Sequence, residues 1–178
     1  MTCIVGMEFQ DRVYIAGDIQ GTGWNYKVVH TTPKVFSKCG VVFGYTTSYR
    51  FGQVLEHNLQ NPVVPQDDSE IYRWLITVLI PDVRAVLKET GYEKGGNCLI
   101  GVKGQLWELQ DDFSVLRSVA GYSAVGSGCE YALGSLFTSN IVGQPRHVDD
   151  VKVLLQRAIH AAGTFSPSVG TDSTVLST

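Results

Sequence analysis

The sequence predicts an α+β fold: antiparallel strands layered against helices, in one domain spanning residues 1–178. Three observations lead there. Short runs rich in β-branched residues cluster in residues 2–45 and again in 97–126, and helical periodicities fill the stretches after each cluster. Segregated blocks of this kind favour antiparallel sheets with helices on their outer faces over alternating βαβ units. The composition, 44% hydrophobic and 17% charged over 178 residues, excludes disorder and supports a sizeable core.

The elements follow in order. Residues 2–9 and 12–18 read as a hairpin turning at Gln10-Asp11, and residues 19–26, with two glycines, a threonine and an asparagine, read as a loop. Two short strands, 34–38 and 41–45, flank a Cys39-Gly40 turn. A weak amphipathic helix is expected over 48–59. The strongest helix runs over 70–90, where Ile71, Trp74, Leu75, Val78, Leu79, Val83, Val86 and Leu87 recur at intervals of three and four. Asp67, Asp68 and Ser69 supply its start and Gly91 its stop, and Pro81 inside it predicts a kink or break. Residues 97–119 alternate as a meander with turns at Lys103-Gly104 and Asp111-Asp112. A strand over 122–128 then enters a Gly-rich turn, helices follow over 129–138 and 147–163, and the tail closes with a strand at 173–177.

Charge and cysteine usage narrow the function classes. A net charge of −3 and a pI near 5.7 argue against nucleic acid or an anionic membrane as partner. No apolar run reaches the roughly 18 residues of a membrane span, and no basic region precedes an apolar stretch at the start. The expectation is a cytoplasmic protein. Cys3, Cys39, Cys98 and Cys129 form no CxxC pair and read as reduced thiols, and His30, His57, His147 and His160 have no metal-ligand spacing, so no metal is expected. A GxxxxGK[ST] loop and a GxGxxG fingerprint are both absent, and Val125 occupies the first glycine position of a nucleophile elbow around Ser127.

Chemistry points to Thr2. Methionine before a small residue is normally removed, which would leave a threonine with a free α-amine. Such an amine is a general base for its own hydroxyl, with an ordinary pKa of about 7.7–8.0. The hairpin returns Asp18 to the neighbourhood of Thr2, and Lys34 leads the next strand. A lysine there would lower the pKa values of amine and hydroxyl by like-charge repulsion, and Asp18 would hold that lysine. In Ala124–Gly128, AVGSG, a strand delivers the hydroxyl of Ser127 to a glycine turn.

These stretches together resemble the proteasome β-subunit family and the HslV-type peptidase, both N-terminal nucleophile (Ntn) hydrolases. The matching segments are TCIVG at Thr2–Gly6, VYIAGD at Val13–Asp18, PKV at Pro33–Val35, GYTTS at Gly44–Ser48 and AVGSGCEYA from Ala124 to Ala132, in the family's order over nearly the whole chain. The resemblance implies a four-layer αββα sandwich with two antiparallel sheets flanked by helices. It implies Thr2 as nucleophile, Lys34 tuning it, Asp18 orienting the lysine, Ser127 beside the amine, and the backbone N–H of Thr47 as oxyanion hole, with no cofactor. Tyr45 and residues 48–50 fall where the family lines its substrate pocket. The implied activity is hydrolysis of unfolded polypeptides inside stacked hexameric or heptameric rings fed by an ATP-dependent unfoldase. Because the first strand begins at once, without the helix of α-type subunits, the chain reads as β-type.

Departures keep two further readings open. Thr47 stands where the family usually has glycine, and Thr164 follows Gly163 where the family has aspartate, with Ser166 and Ser168 as nearby substitutes. A retained Met1 would turn the Thr2 amine into an amide and remove the base. The second reading is therefore a catalytically degenerate ring subunit acting as scaffold or regulator, and the third a small-molecule amidase of the same superfamily.

Overall fold

A computed structural model describes residues 2–23 and 26–178. Met1, whose removal would free the Thr2 amine, lies outside the described residues, as do Trp24 and Asn25. Strands β1 (Cys3–Phe9) and β2 (Arg12–Asp18) form the expected hairpin, with Gln10 and Asp11 both at positive φ (48° and 58°). Two residues of that hand match the twist of the strands they join. The loop expected over 19–26 contains strand β3 (Gln20–Thr22), which pairs with β4 (Lys27–Val29). Three-residue strands carrying Gly21 and ending before Gly23 have too few side chains for a periodicity to show.

Strands β5 (Val35–Lys38) and β6 (Val41–Tyr45) turn at Cys39-Gly40, and helix α1 (Tyr49–Asn58) starts at Ser48, whose hydroxyl accepts from Arg50 N–H. The long helical run does not break at Pro81. It passes from α2 (Ile71–Trp74) through a π turn (Leu75–Leu79) into α3 (Ile80–Glu89), with Ile80 N–H donating to Leu75 O. Widening the turn ahead of the proline accommodates a residue that has no N–H and needs room for its ring. Next come β7 (Cys98–Val102), β8 (Gln105–Leu109), β9 (Val115–Leu116) and β10 (Tyr122–Gly126). Helices α4 (Cys129–Val142) and α5 (Val148–Phe165) each run beyond the expected end, and β11 (Ser173–Ser177) matches the expected strand.

The result is the four-layer αββα sandwich. One sheet has the order β10-β1-β2-β11 and the other β5-β6-β7-β8-β9, both antiparallel. Period-two alternation sorts each strand between two cores. From the first sheet, Cys3, Val5, Tyr14 and Ala16 pack on α4 and α5 through Leu136, Leu155 and Ile159. Ile4, Val13 and Ile15 point the other way, onto Val42 and Leu99 of the second sheet. Beyond it, Phe43, Phe51, Leu75 and Leu87 fill the core under α1–α3. Gly44 lets the sheets meet: a Cβ there would lie 2.5 Å from Ile4 Cγ2 and 2.6 Å from Ile15 Cγ2. No helix among the described residues is long and apolar enough to cross a membrane.

Candidate active site

The start of β1, the end of β2 and the end of β10 meet where the first sheet faces the N-terminus of α1. The end of β2 carries Asp18, fully buried. Its Oδ1 accepts from Cys3 N–H (2.9 Å) and Lys34 Nζ (2.9 Å), and its Oδ2 from Gln20 N–H (3.3 Å) and Gly170 N–H (3.0 Å). Lys34, just before β5, is 2% exposed and divides its ammonium between Asp18 and Gln20 O. Burial holds the Lys34 pKa below its usual value, against the opposing pull of the Asp18 charge and its hydrogen bond. The lysine is thus a cation kept short of solvent, which strengthens its field on whatever shares the cleft.

Thr2 shares it. Thr2 is 7% exposed and lines, with Lys34, Tyr45, Thr46, Thr47 and Tyr49 among others, a cleft of about 170 Å³. Its backbone nitrogen donates to Ser127 Oγ at 3.3 Å, and Ser127 Oγ also lies 3.3 Å from Thr2 O. The glycine before Ser127 is required by geometry. Gly126 sits at φ 99°, and a side chain there would run into the Thr2 carbonyl. The structure therefore brings Thr2, Asp18, Lys34 and Ser127 to one place, with Thr47 and Tyr45 on the cleft wall.

At Thr47 the departure from glycine has a visible cost. It adopts φ 72°, a conformation that a β-branched side chain rarely takes. The turn is pinned by Asn97, whose N–H donates to Thr47 Oγ1 (3.3 Å) and whose carbonyl accepts from Thr46 N–H (3.0 Å). Ser48 N–H is engaged by Thr46 O, whereas among the described residues no acceptor bonds the Thr47 N–H. An N–H left without an acceptor at the cleft is able to donate to an incoming oxygen.

Thr164 lies apart from this site. It is exposed on the last turn of α5 and gives its hydroxyl to His160 O (2.8 Å). The buried groups that reach the site come two and four residues later: Ser127 Oγ is 3.1 Å from Ser168 Oγ, which is 2.9 Å from Ser166 Oγ. Gln20 and Gly170 belong to the site through main-chain atoms, so no residue type announces them. Tyr49 falls in the 48–50 stretch that the resemblance places at the substrate pocket, and it lines the cleft with Tyr45.

Cys3 adjoins Thr2 but is no rival nucleophile. Burial, and then the Asp18 charge, push its thiol up to about 12. At pH 8 the native protein is expected to take up iodoacetamide rapidly at exposed Cys39 and not at buried Cys3 or Cys98, as peptide mapping would read.

No protein-family model matches the sequence and no curated protein matches it, but solved structures do. The Thiobacillus denitrificans BPH in complex with epoxomicin superposes with TM-score 0.81 at 19% identity, covering 99% of this chain and 98% of that one. The eukaryotic HslV from Trypanosoma brucei gives TM-score 0.70 at 18% identity, over 99% and 98% of the two chains. Anbu, an ancestral β-subunit from Yersinia bercovieri, gives 0.71 at 16% identity, over 99% and 81%. The chain has the proteasome-type fold. The resemblance read from the sequence thus holds at the level of architecture, and the proteasome-type sandwich accounts for all four layers.

Proposed function

We propose that this chain, as one catalytic unit over residues 1–178, is a threonine-type endopeptidase subunit of a self-compartmentalising ring. The observation that carries the proposal is the buried Asp18–Lys34 pair set against Thr2, with Ser127 on the Thr2 nitrogen. An ion pair this deep is costly to form and is weak support for stability alone. Its use is to place a cation beside a nucleophile.

Once Met1 is removed, the α-amine takes the Thr2 hydroxyl proton as Oγ attacks the substrate carbonyl carbon. The resulting oxyanion receives the Thr47 N–H. The amine then hands the proton to the leaving nitrogen, the C–N bond breaks, and an ester remains on Thr2. Water, deprotonated by the same amine, attacks the ester, releases the acid and returns the threonine. Ser127, backed by Ser168 and Ser166, holds the amine in place. No cofactor enters these steps.

Ring assembly is supported by the outer side of α4, where Phe137, Ile141 and Val142 are 58%, 69% and 84% exposed. Unfolded polypeptide as substrate, six- or sevenfold stacked rings, an ATP-dependent unfoldase and a cytoplasmic setting complete the proposal. The strain at Thr47 favours one other reading, a ring subunit that keeps the fold and has lost activity.

An intact mass before and after a peptide epoxyketone separates the two, and BPH with epoxomicin supplies the precedent for the probe. That warhead closes a ring on both the threonine hydroxyl and a free α-amine. The expected mass is the chain less one methionine plus one inhibitor. A processed chain that takes up none favours the inactive subunit, and a chain still carrying Met1 cannot perform this chemistry.

A further inference from the structure

Resting on the reading of Thr2 as nucleophile with the Thr47 N–H as oxyanion donor, we infer that the Thr47 hydroxyl is a positioning group that keeps this N–H turned to the cleft. Where a glycine would leave only backbone, the threonine supplies an acceptor that the end of the sheet needs.

The need arises from register. Strands β6 and β7 pair antiparallel with Tyr45 opposite Cys98, so Thr46 and Asn97 are the next partners along the ladder. An antiparallel pair of the hydrogen-bonded kind exchanges two bonds, N–H to carbonyl in each direction. Thr46 and Asn97 make one of them, Thr46 N–H donating to Asn97 O at 3.0 Å. The carbonyl that would accept in return has turned away. Thr46 O takes the N–H of Ser48 at 2.8 Å, an i to i+2 bond that, with Thr47 at φ 72°, makes a γ-turn of the rare positive-φ hand. Asn97 N–H thereby loses its ladder partner, and Thr47 Oγ1 stands in for it at 3.3 Å. Thr46 Oγ1, 3.4 Å from Thr47 Oγ1, can receive the hydroxyl proton, which leaves the Thr47 oxygen free to accept.

The stand-in matters because a peptide group is one rigid plane. Thr46 O and the Thr47 N–H lie on opposite sides of the same planar trans unit, so the partner taken by the carbonyl fixes the direction of the N–H. With Asn97 N–H satisfied by the hydroxyl, Thr46 O stays on Ser48 and the Thr47 N–H stays unspent in the cleft wall. Without the hydroxyl, Asn97 regains a partner by drawing Thr46 O back into the ladder. The same rotation carries the Thr47 N–H out of line.

The test compares Thr47→Val, which keeps shape and β-branching but has no acceptor, with Thr47→Ser, which keeps the hydroxyl. On a fluorogenic peptide amide, the valine variant is expected to lose kcat on the order of 10²-fold, the loss typical of one oxyanion donor, with KM within about threefold of the parent. The serine variant should keep kcat within about threefold. Amide hydrogen exchange read by NMR follows the turn without any turnover: Ser48 N–H, deprived of Thr46 O in the valine variant, should exchange at least tenfold faster than in the parent or the serine variant. Should Thr47→Val not fold, Thr47→Ala carries the same expectations. Parental kcat in the valine variant overturns the positioning role, and so does a loss carried by KM alone, which would place the hydroxyl on the substrate. An unchanged Ser48 exchange rate in folded Thr47→Val overturns the clamp itself. A parent that neither cleaves peptides nor takes up an epoxyketone overturns the Thr2 reading and with it the catalytic use of the clamp, whose geometry the exchange rates still decide.

Discussion

An Asp18→Ala chain is expected to melt on the order of 10 °C below the parent and to hydrolyse nothing. The carboxylate accepts four hydrogen bonds, three from main-chain N–H groups and one from Lys34. Removing it strands a buried ammonium and three buried donors. Breaking a buried pair from one side costs about 3–5 kcal/mol, and each kcal/mol moves the midpoint of a domain this size by roughly 2–4 °C. Thermal denaturation reads the effect. Adding Lys34→Met to Asp18→Ala should recover part of the loss, because it removes the stranded charge, and should recover no activity. A single variant that melts within about 3 °C of the parent would show that the pair is not sealed as the structure has it.

Thr2→Ala is expected to separate chemistry from folding. Its backbone nitrogen can still reach Ser127, so the melting temperature should stay within about 2 °C of the parent. Peptide hydrolysis should fall on the order of 10⁴-fold or more, as when other activated hydroxyl nucleophiles are deleted. Thr2→Ser keeps hydroxyl and amine and should retain measurable turnover. The outcome that would sink the assignment is a Thr2→Ala protein, free of contaminating peptidase, that cleaves at the parental rate.

The β1–β2 hairpin and the amphipathic faces of α1–α3 and α5 were legible because each repeats apolar side chains at its own period over enough residues. Thr2, Asp18 and Lys34 were legible through spacing: a two-residue turn between seven-residue strands brings the end of β2 back to the start of β1. Main-chain contacts leave no such trace. Gln20 holds Lys34 with a carbonyl, which every residue has, and Gly170 holds Asp18 with an N–H, at a position where a Cβ would lie 2.8 Å from Gln20 Cβ. Pro81 left a kink and a break both open, because one residue type has several ways of being accommodated in a helix, and here a π turn takes it up. Beyond Gly163, Ser166 and Ser168 stood out as substitutes for the missing aspartate, and the chain leaves α5 and bends so that Ser168, backed by Ser166, reaches Ser127.

The bond from Gly170 N–H to Asp18 spans 152 positions of the chain and has a consequence in time. Synthesis delivers β1, β2 and Lys34 early, and these can pair while most of the polypeptide is still unmade. The second carboxylate oxygen has Gln20 N–H at hand but waits for Gly170 to complete its bonding, as Ser127 waits for its neighbour Ser168. A nascent chain on the ribosome therefore holds Thr2 without its finished surroundings, and the cleft is completed only once residues 166–170 have been made and folded back.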